Sequence, residues 1–136
     1  MDLRDTLLVS VYGMRAQSTR MRIIAQNLAN ADSVGQTPDA EPYRRQTVSF
    51  KNTLDRATGV NAVRVSKVGE DQSPFGERFD PGHPAANAAG YVRTPNVNAL
   101  VETMDMREAQ RAYEANLQVV DASRSMIMKT IDLLRS

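Results

Sequence analysis

Two long segments with almost no helix-breaking residues most constrain what this chain can fold into. Residues 3–30 contain no proline and one glycine, and residues 97–135 contain neither. Apolar side chains recur every seven residues in both, which is typical of a long helix that packs along a seam. The predicted intramolecular seam consists of Leu7, Met14, Met21, Leu28, Met106, Tyr113, Val120, Ile127 and Leu134.

The middle of the chain has a different composition. Residues 31–95 hold all six prolines and no methionine. Segments 46–50 and 62–68 have the pattern of short strands, and segments 73–76 and 80–84 that of turns. Asn96 or Asn98 is expected to cap the second helix.

These patterns predict three regions and a mainly α fold. Residues 1–33 form an N-terminal helix, residues 34–95 an extended or β-rich middle segment, and residues 96–136 a C-terminal helix. The two long helices are expected to pair as an antiparallel coiled coil, with the middle segment as a small insertion.

Apolar side chains cover more of each helix than one partner helix can bury. At about 100° per residue, those near each end of the chain span roughly 220° of their helix. The surplus predicts a subunit that other chains cover, since it would otherwise aggregate. The residues assigned to the subunit interface are Leu8, Val9, Tyr12, Asn27, Asn30, Met126, Met128 and Leu133.

Charge and cysteine content exclude several classes of function. The chain has 17 basic and 16 acidic residues and no cysteine. This balance argues against electrostatic binding to nucleic acid or an anionic membrane. A helical hairpin that binds nucleic acid through the arginines near residues 15–22 and 44–45 remains an alternative, although a solvated helix face or subunit ion pairs explain these arginines better.

No enzymatic site is expected. The single histidine, His83, lies between two prolines in a predicted turn and has no nearby nucleophile to activate, so a structural role is favoured. The spacing of carboxylates suggests no metal site, and no glycine-rich loop suggests a phosphate-binding cofactor. We therefore expect no cofactor and no small-molecule substrate. The apolar run at residues 7–12 follows Asp2 and Asp5, which is unlike a secretory signal peptide.

Two stretches carry a resemblance to a known family. Residues 18–33 resemble the N-terminal motif of bacterial flagellar axial proteins. Residues 79–98, continuing into 104–116, resemble the proximal rod type of the flagellar basal-body rod protein family. The motif residues in this second stretch are Asp80, Pro81, Gly82, His83, Pro84, Gly90, Tyr91, Val92, Pro95, Asn96 and Asn98. Residues 34–39 depart from the pattern of sister rod proteins. The resemblance therefore implies no path for this linker, and the rest of the assignment is unchanged.

The resemblance implies a non-enzymatic building block. Such proteins leave the cytosol unfolded through the flagellar type III export apparatus, without a cleaved signal peptide. They polymerise helically into the rod, which crosses the periplasm, transmits motor torque and encloses the export channel. The implied partners are further copies of the chain, other rod proteins, the junction of the rod with the MS ring and the export apparatus. Another rod or hook-type axial protein of the same family is the alternative.

Overall fold

Six elements of regular secondary structure lie within residues 2–136, the part of the chain that the computed structural model describes. In chain order they are α1 (Leu3–Ala29), β1 (Gln46–Asp55), β2 (Val60–Glu70), β3 (Gly76–Phe79), β4 (Tyr91–Thr94) and α2 (Ala99–Arg135). They divide between two units. The first unit comprises the chain up to Met21 together with Ser49–Lys67 and Arg107–Ser136, and the second comprises Arg22–Val48 and Val68–Met106.

The predicted mainly α fold is wrong. Helices account for 47% of the chain and strands for 21%, in two small antiparallel sheets. The strands predicted at 46–50 and 62–68 extend to ten and eleven residues in β1 and β2. Strands β3 and β4 were not predicted from the sequence. The four residues of β3 are exposed throughout and show no alternation of apolar and polar side chains.

The predicted coiled coil also needs correction. None of the nine predicted seam residues is among the buried side chains of the described chain. The most buried positions of α2 are instead Glu102, Ala109 and Ser123, which form a different line of seven-residue spacing. A seven-residue spacing therefore does mark the most buried face of α2, but this face carries small and polar residues and not the predicted apolar ones.

Side-chain caps set where the helices begin. The Asp2 carboxylate accepts a hydrogen bond of 2.8 Å from the Asp5 N–H at the start of α1. At the start of α2, the Asn98 Oδ1 accepts hydrogen bonds from the N–H groups of Leu100 and Val101, at 3.1 and 3.3 Å. Of the two asparagines proposed as caps, Asn98 therefore takes that role. Both caps satisfy amide donors that the first turn of a helix leaves free.

In the first unit, α1 and α2 lie close together and run antiparallel. A Cβ on Gly13 would lie 2.9 Å from the Asn116 Nδ2, and Arg20 lies 3.6 Å from Glu108. Residue numbers therefore rise along α1 as they fall along α2. The buried side chains of this unit are all small or medium-sized, and they are Ser10, Ala16, Val60, Ala62, Ala109 and Ser123.

The part of the β1–β2 hairpin that lies in the first unit is fixed at its turn and against α1. The Gly59 N–H donates to the Asp55 carbonyl at 2.7 Å, and Gly59 has a φ of 73°, which favours glycine. The Tyr12 hydroxyl donates to the Asp55 carboxylate at 2.9 Å. The Arg64 guanidinium lies 4.6 Å from the centre of the Tyr12 ring. Tyr12 thus joins α1 to both strands of the hairpin.

The second unit contains the β3–β4 hairpin. In its antiparallel register Gly76 lies opposite Thr94, and Phe79 lies opposite Tyr91. The rings of Phe79 and Tyr91 meet edge to face, with their centres 5.3 Å apart. The buried apolar side chains of this unit are Ile23, Ile24, Ala85 and Val92.

Candidate assembly surfaces and a buried charge cluster

A buried carboxylate lies at the centre of the second unit. Glu102, in the first turn of α2, is 0% exposed. Its Oε1 accepts a hydrogen bond from the Arg45 Nε, and its Oε2 accepts one of 3.3 Å from the Asn27 side chain. An unpaired charge at this depth would be costly, so these two donors are what make the position tolerable.

Arg45 joins Glu102 to two further carboxylates. Its Nη1 lies 3.4 Å from Asp71, and its Nη2 lies 3.8 Å from Asp105. Burial alone would lower the pKa of Arg45, but the hydrogen bond to Glu102 and the charges of Glu102 and Asp71 raise it above its usual value. Arg45 is therefore held in its charged form by the carboxylates around it.

Asn27 completes the cluster and uses all of its side-chain hydrogen-bonding groups. Its Oδ1 accepts from the Tyr43 hydroxyl at 2.8 Å and from the Gln46 N–H at 2.9 Å. Its Nδ2 donates to the Gln46 carbonyl at 2.9 Å as well as to Glu102. Burial raises the pKa of the Tyr43 phenol, and the charge of Glu102 raises it further. The structure thus places Asn27, assigned from sequence to the subunit interface, inside this unit at 1% exposure.

The loop after β2 is tied to the same cluster. The Asp71 carboxylate accepts from the Ser73 N–H at 2.8 Å. This bond, together with the Ser73 hydroxyl and Arg45, lowers the pKa of Asp71. Asn96 accepts from the Arg45 N–H at 2.7 Å and donates to the Asp71 carbonyl at 3.0 Å.

The family-motif residues between 80 and 98 lie together in the second unit. They form the β3–β4 connection, β4 and the cap of α2. The His83 Nδ1 accepts a hydrogen bond of 3.0 Å from the Ala85 N–H, so this ring nitrogen stabilises the turn. Gly90 is buried with a φ of 86°, while Tyr91 is exposed and Val92 and Pro95 are buried.

Three of the predicted seam residues line an open groove in the first unit. Met14, Tyr113 and Val120 line it together with Val11, Arg15 and Ser18, around a volume of about 290 Å³. The other predicted seam residues are half-buried, except Leu134 at 82% exposure. These three residues therefore line a groove at the surface and not a dry core.

The residues assigned to the subunit interface, with Asn27 set aside, divide into two groups. Met126, Met128 and Leu133 of α2 are 54%, 59% and 77% exposed. The others, apart from Asn27, are half-buried; these are Leu8, Val9, Tyr12 and Asn30. Asn30 donates to the Gln26 carbonyl at 2.9 Å and accepts from the Ser33 hydroxyl at 3.1 Å.

Neither a metal-binding cluster nor a membrane-spanning helix occurs within residues 2–136. Residues 2–136 contain no group of three histidine or acidic side chains arranged to hold a metal ion. No helix in that range is long and apolar enough to span a bilayer. The features that remain are the buried charge cluster and the exposed apolar side chains of α2.

Comparison with known proteins identifies the family. Residues 7–35 match the family model described as "Flagella basal body rod protein", and residues 88–133 match "Flagellar basal body rod FlgEFG protein C-terminal". The chain is 52% identical to the flagellar basal-body rod protein FlgC of Agrobacterium fabrum, over 91% of the chain and 89% of that protein. It is 38% identical to the FlgC protein of Yersinia enterocolitica over 98% of each, and 36% identical to that of Bacillus subtilis over 94% and 95%. The chain therefore belongs to the FlgC family of flagellar basal-body rod proteins.

Proposed function

We propose that the chain is a structural subunit of the proximal rod, which polymerises helically with further copies and with other rod proteins. Membership in the FlgC family supports a rod subunit, located in the basal-body rod and associated with other rod components. In this role the rod crosses the periplasm, transmits torque and encloses the export channel. The chain contributes by packing, and no chemical step is assigned to it.

The observation that carries assembly is the apolar surface at the end of α2. Leu133 and Leu134 are 77% and 82% exposed, and Ile131 is 41% exposed. Covering a leucine side chain fully stabilises a complex by about 1.5–3 kcal/mol. Exposed apolar residues grouped along one helix are typical of a protein interface.

A substitution at Leu133 tests this role. In a strain that lacks the native gene, L133E is expected to be synthesised but to block completion of the rod and abolish swimming. The matched control is N61E, which adds the same charge at an exposed polar position of β2 and is expected to support rods and swimming. Rod completion is measured in purified basal bodies. Normal rods with L133E would contradict the proposal.

The histidine separates a structural role from a chemical one. H83A removes only the hydrogen bond from the Ala85 N–H, and we expect it to support rods and swimming. Complete rods that fail to turn in an H83A strain would instead point to a chemical role for His83.

We also propose that the chain reaches the rod through the flagellar type III export apparatus, without a cleaved signal peptide. Asp2 and Asp5 flank Arg4 before the short apolar run of α1, and a secretory signal would carry a net positive charge there. Mass spectrometry of the chain from purified basal bodies is expected to find Asp2 and Asp5 retained. Their removal, with the apolar run, would contradict this route.

A further inference from the structure

Two exposed stripes of opposite charge lie on the helices of the first unit. The basic stripe consists of Arg4, Leu8 and Arg15 on α1, and the acidic stripe consists of Asp121, Met128 and Asp132 on α2. At about 100° per residue, the members of each stripe fall within about 40° of their helix. All are exposed except Leu8, which is half-buried.

The charges of both stripes remain available to a further partner. In the described part of the chain, none of the four charged side chains forms an ion pair. The groups through which α1 meets α2, Gly13 and Arg20, lie about 160–180° around the helix from Arg4. Asn116 and Glu108, on α2, lie about 140° from Asp121. The acidic stripe is therefore on the outer side of α2. On α1, Arg15 also borders the groove that Tyr113 and Val120 line, and its guanidinium lies 5.8 Å from the centre of the Tyr12 ring.

The two stripes match in spacing when their helices run antiparallel. Arg4 and Arg15 are eleven residues apart, as are Asp121 and Asp132, which places each pair about 16.5 Å apart along its helix. Between them, Leu8 lies four residues after Arg4, and Met128 lies four residues before Asp132. One alignment thus brings together two pairs of opposite charges and one apolar pair.

This alignment cannot form within one chain. The intramolecular contacts place Gly13 beside Asn116 and Arg20 beside Glu108. In that register Arg15 is level with about residue 114, which is about 10.5 Å along the helix from Asp121. Pairing of the two stripes in this register therefore needs a second molecule, and a second copy of this chain carries the matching acidic stripe.

We propose that the basic stripe of one copy binds the acidic stripe of the next, with Arg4 beside Asp132, Leu8 beside Met128 and Arg15 beside Asp121. The proposal rests on the function proposed above and names one of its subunit contacts. Because the two stripes lie on different helices, each copy keeps one stripe free after binding. Such a contact propagates head to tail instead of closing a dimer.

Disulfide cross-linking tests the register directly, because the chain contains no cysteine. Oxidised basal bodies that carry L8C/M128C are expected to give a ladder of multiples of the chain on a non-reducing gel. The single variants, and the pair L8C/A115C, are expected to give none, since residue 115 lies thirteen residues from Met128 along α2. Complete rods without a ladder, or a product that contains a different protein, would overturn the proposal.

Charge reversal provides a second test of the proposed contact, which applies even if the L8C/M128C variant does not assemble into rods. R15E and D121R are each expected to lower the yield of completed rods about fivefold, and R15E/D121R is expected to restore it. R111E reverses an exposed charge of α2 outside the stripe and should have no effect. If neither single variant lowers the yield, or if the double variant does no better than the singles, the pairing is wrong.

These tests fail differently from a test of the proposed function. If cells without the gene still complete their rods, the rod function itself is wrong. If rods require the chain but show neither the ladder nor the rescue, only the proposed contact is wrong.

Discussion

The first turn of α2 and its last turns differ in what the rest of the chain provides for them. Glu102, in the first turn, is fully buried and has Arg45 and Asn27 as partners. Leu133 and Leu134, at the other end, are 77% and 82% exposed. A charged side chain is thus buried in the interior, where apolar groups are expected. Apolar side chains are exposed at the surface, where charged groups are expected.

This difference indicates which part of the helix the chain completes by itself. The polar groups around Glu102 are bonded to one another, so this buried charge needs no further partner. The leucines at the other end gain free energy only when another surface covers them. We infer that the buried Glu102 serves folding of the subunit and that the end of α2 serves assembly.

The largest expected effect comes from removing the partner of the buried charge. R45M leaves the Glu102 carboxylate buried with only Asn27 to bind it. Leaving one charge of a buried pair without its partner costs about 3–5 kcal/mol, so we expect the free energy of unfolding to fall by that amount. Urea unfolding of the purified chain measures it.

The neighbouring arginine provides a matched control for R45M. Arg44 donates to the Asp71 and Ser73 carbonyls and lies 4.2 Å from the centre of the Phe75 ring. Its replacement therefore leaves no buried carboxylate without a partner. R44M is expected to cost only about 1 kcal/mol. Equal losses for the two variants would show that the charge pair is not what stabilises this region.

A smaller effect is expected at the turn that precedes β4. Gly90 has a φ of 86°, and a Cβ there would lie 2.9 Å from the Phe79 ring. The left-handed conformation alone makes G90A unfavourable by about 1–2 kcal/mol. In G82A, where a Cβ meets nothing within 4 Å, no loss is expected in the same urea measurement. A loss for G90A greater than that for R45M would rank the turn above the charge cluster.

Acid should weaken both units, though modestly. The hydrogen bond from the Ser73 N–H and the charge of Arg45 lower the pKa of Asp71, and the Tyr12 hydroxyl lowers the pKa of Asp55. Each carboxylate therefore stabilises the fold above its unfolded pKa of about 3.9, and this contribution is lost as pH falls through the lower folded pKa.

The asparagine variants assign this acid dependence to particular groups. D71N and D55N are each expected to flatten the decrease in unfolding free energy below about pH 4. Urea unfolding at a series of pH values measures the slope, and D39N, at an exposed position with no carboxylate hydrogen bond in the described structure, is the control. An unchanged slope in D71N and D55N would contradict the assignment.

Much of the helical framework could be predicted from sequence. The absence of proline and the seven-residue spacing predicted helices over 3–30 and 97–135, and the helices run over Leu3–Ala29 and Ala99–Arg135. The coiled coil was wrong because a seven-residue spacing identifies a helical face without identifying what covers it. On α2 the best-buried line carries Glu102, Ala109 and Ser123, which hydrophobicity alone would not select.

The buried charge cluster could not be predicted from local patterns. Arg45 and Glu102 are 57 residues apart, and nothing in the spacing of either segment relates them. A glutamate in the first turn of a helix is explained locally by the helix dipole, so it gives no sign of burial. The exposed leucines, in contrast, were visible as a surplus of apolar surface that two helices could not cover.

The smallest effect on the isolated subunit is expected at the end of α2. L134S changes a side chain that is 82% exposed, so its free energy of unfolding should stay within about 0.5 kcal/mol of the unaltered chain. V92A, which truncates a side chain with 0% exposure, should lose about 2 kcal/mol under the same conditions. In basal bodies the order should reverse, with L134S impairing rod completion more than V92A, because only assembly covers Leu134. A loss above about 1.5 kcal/mol for isolated L134S would mean that the chain itself buries this residue in solution, and the two ends of α2 would then not differ as described.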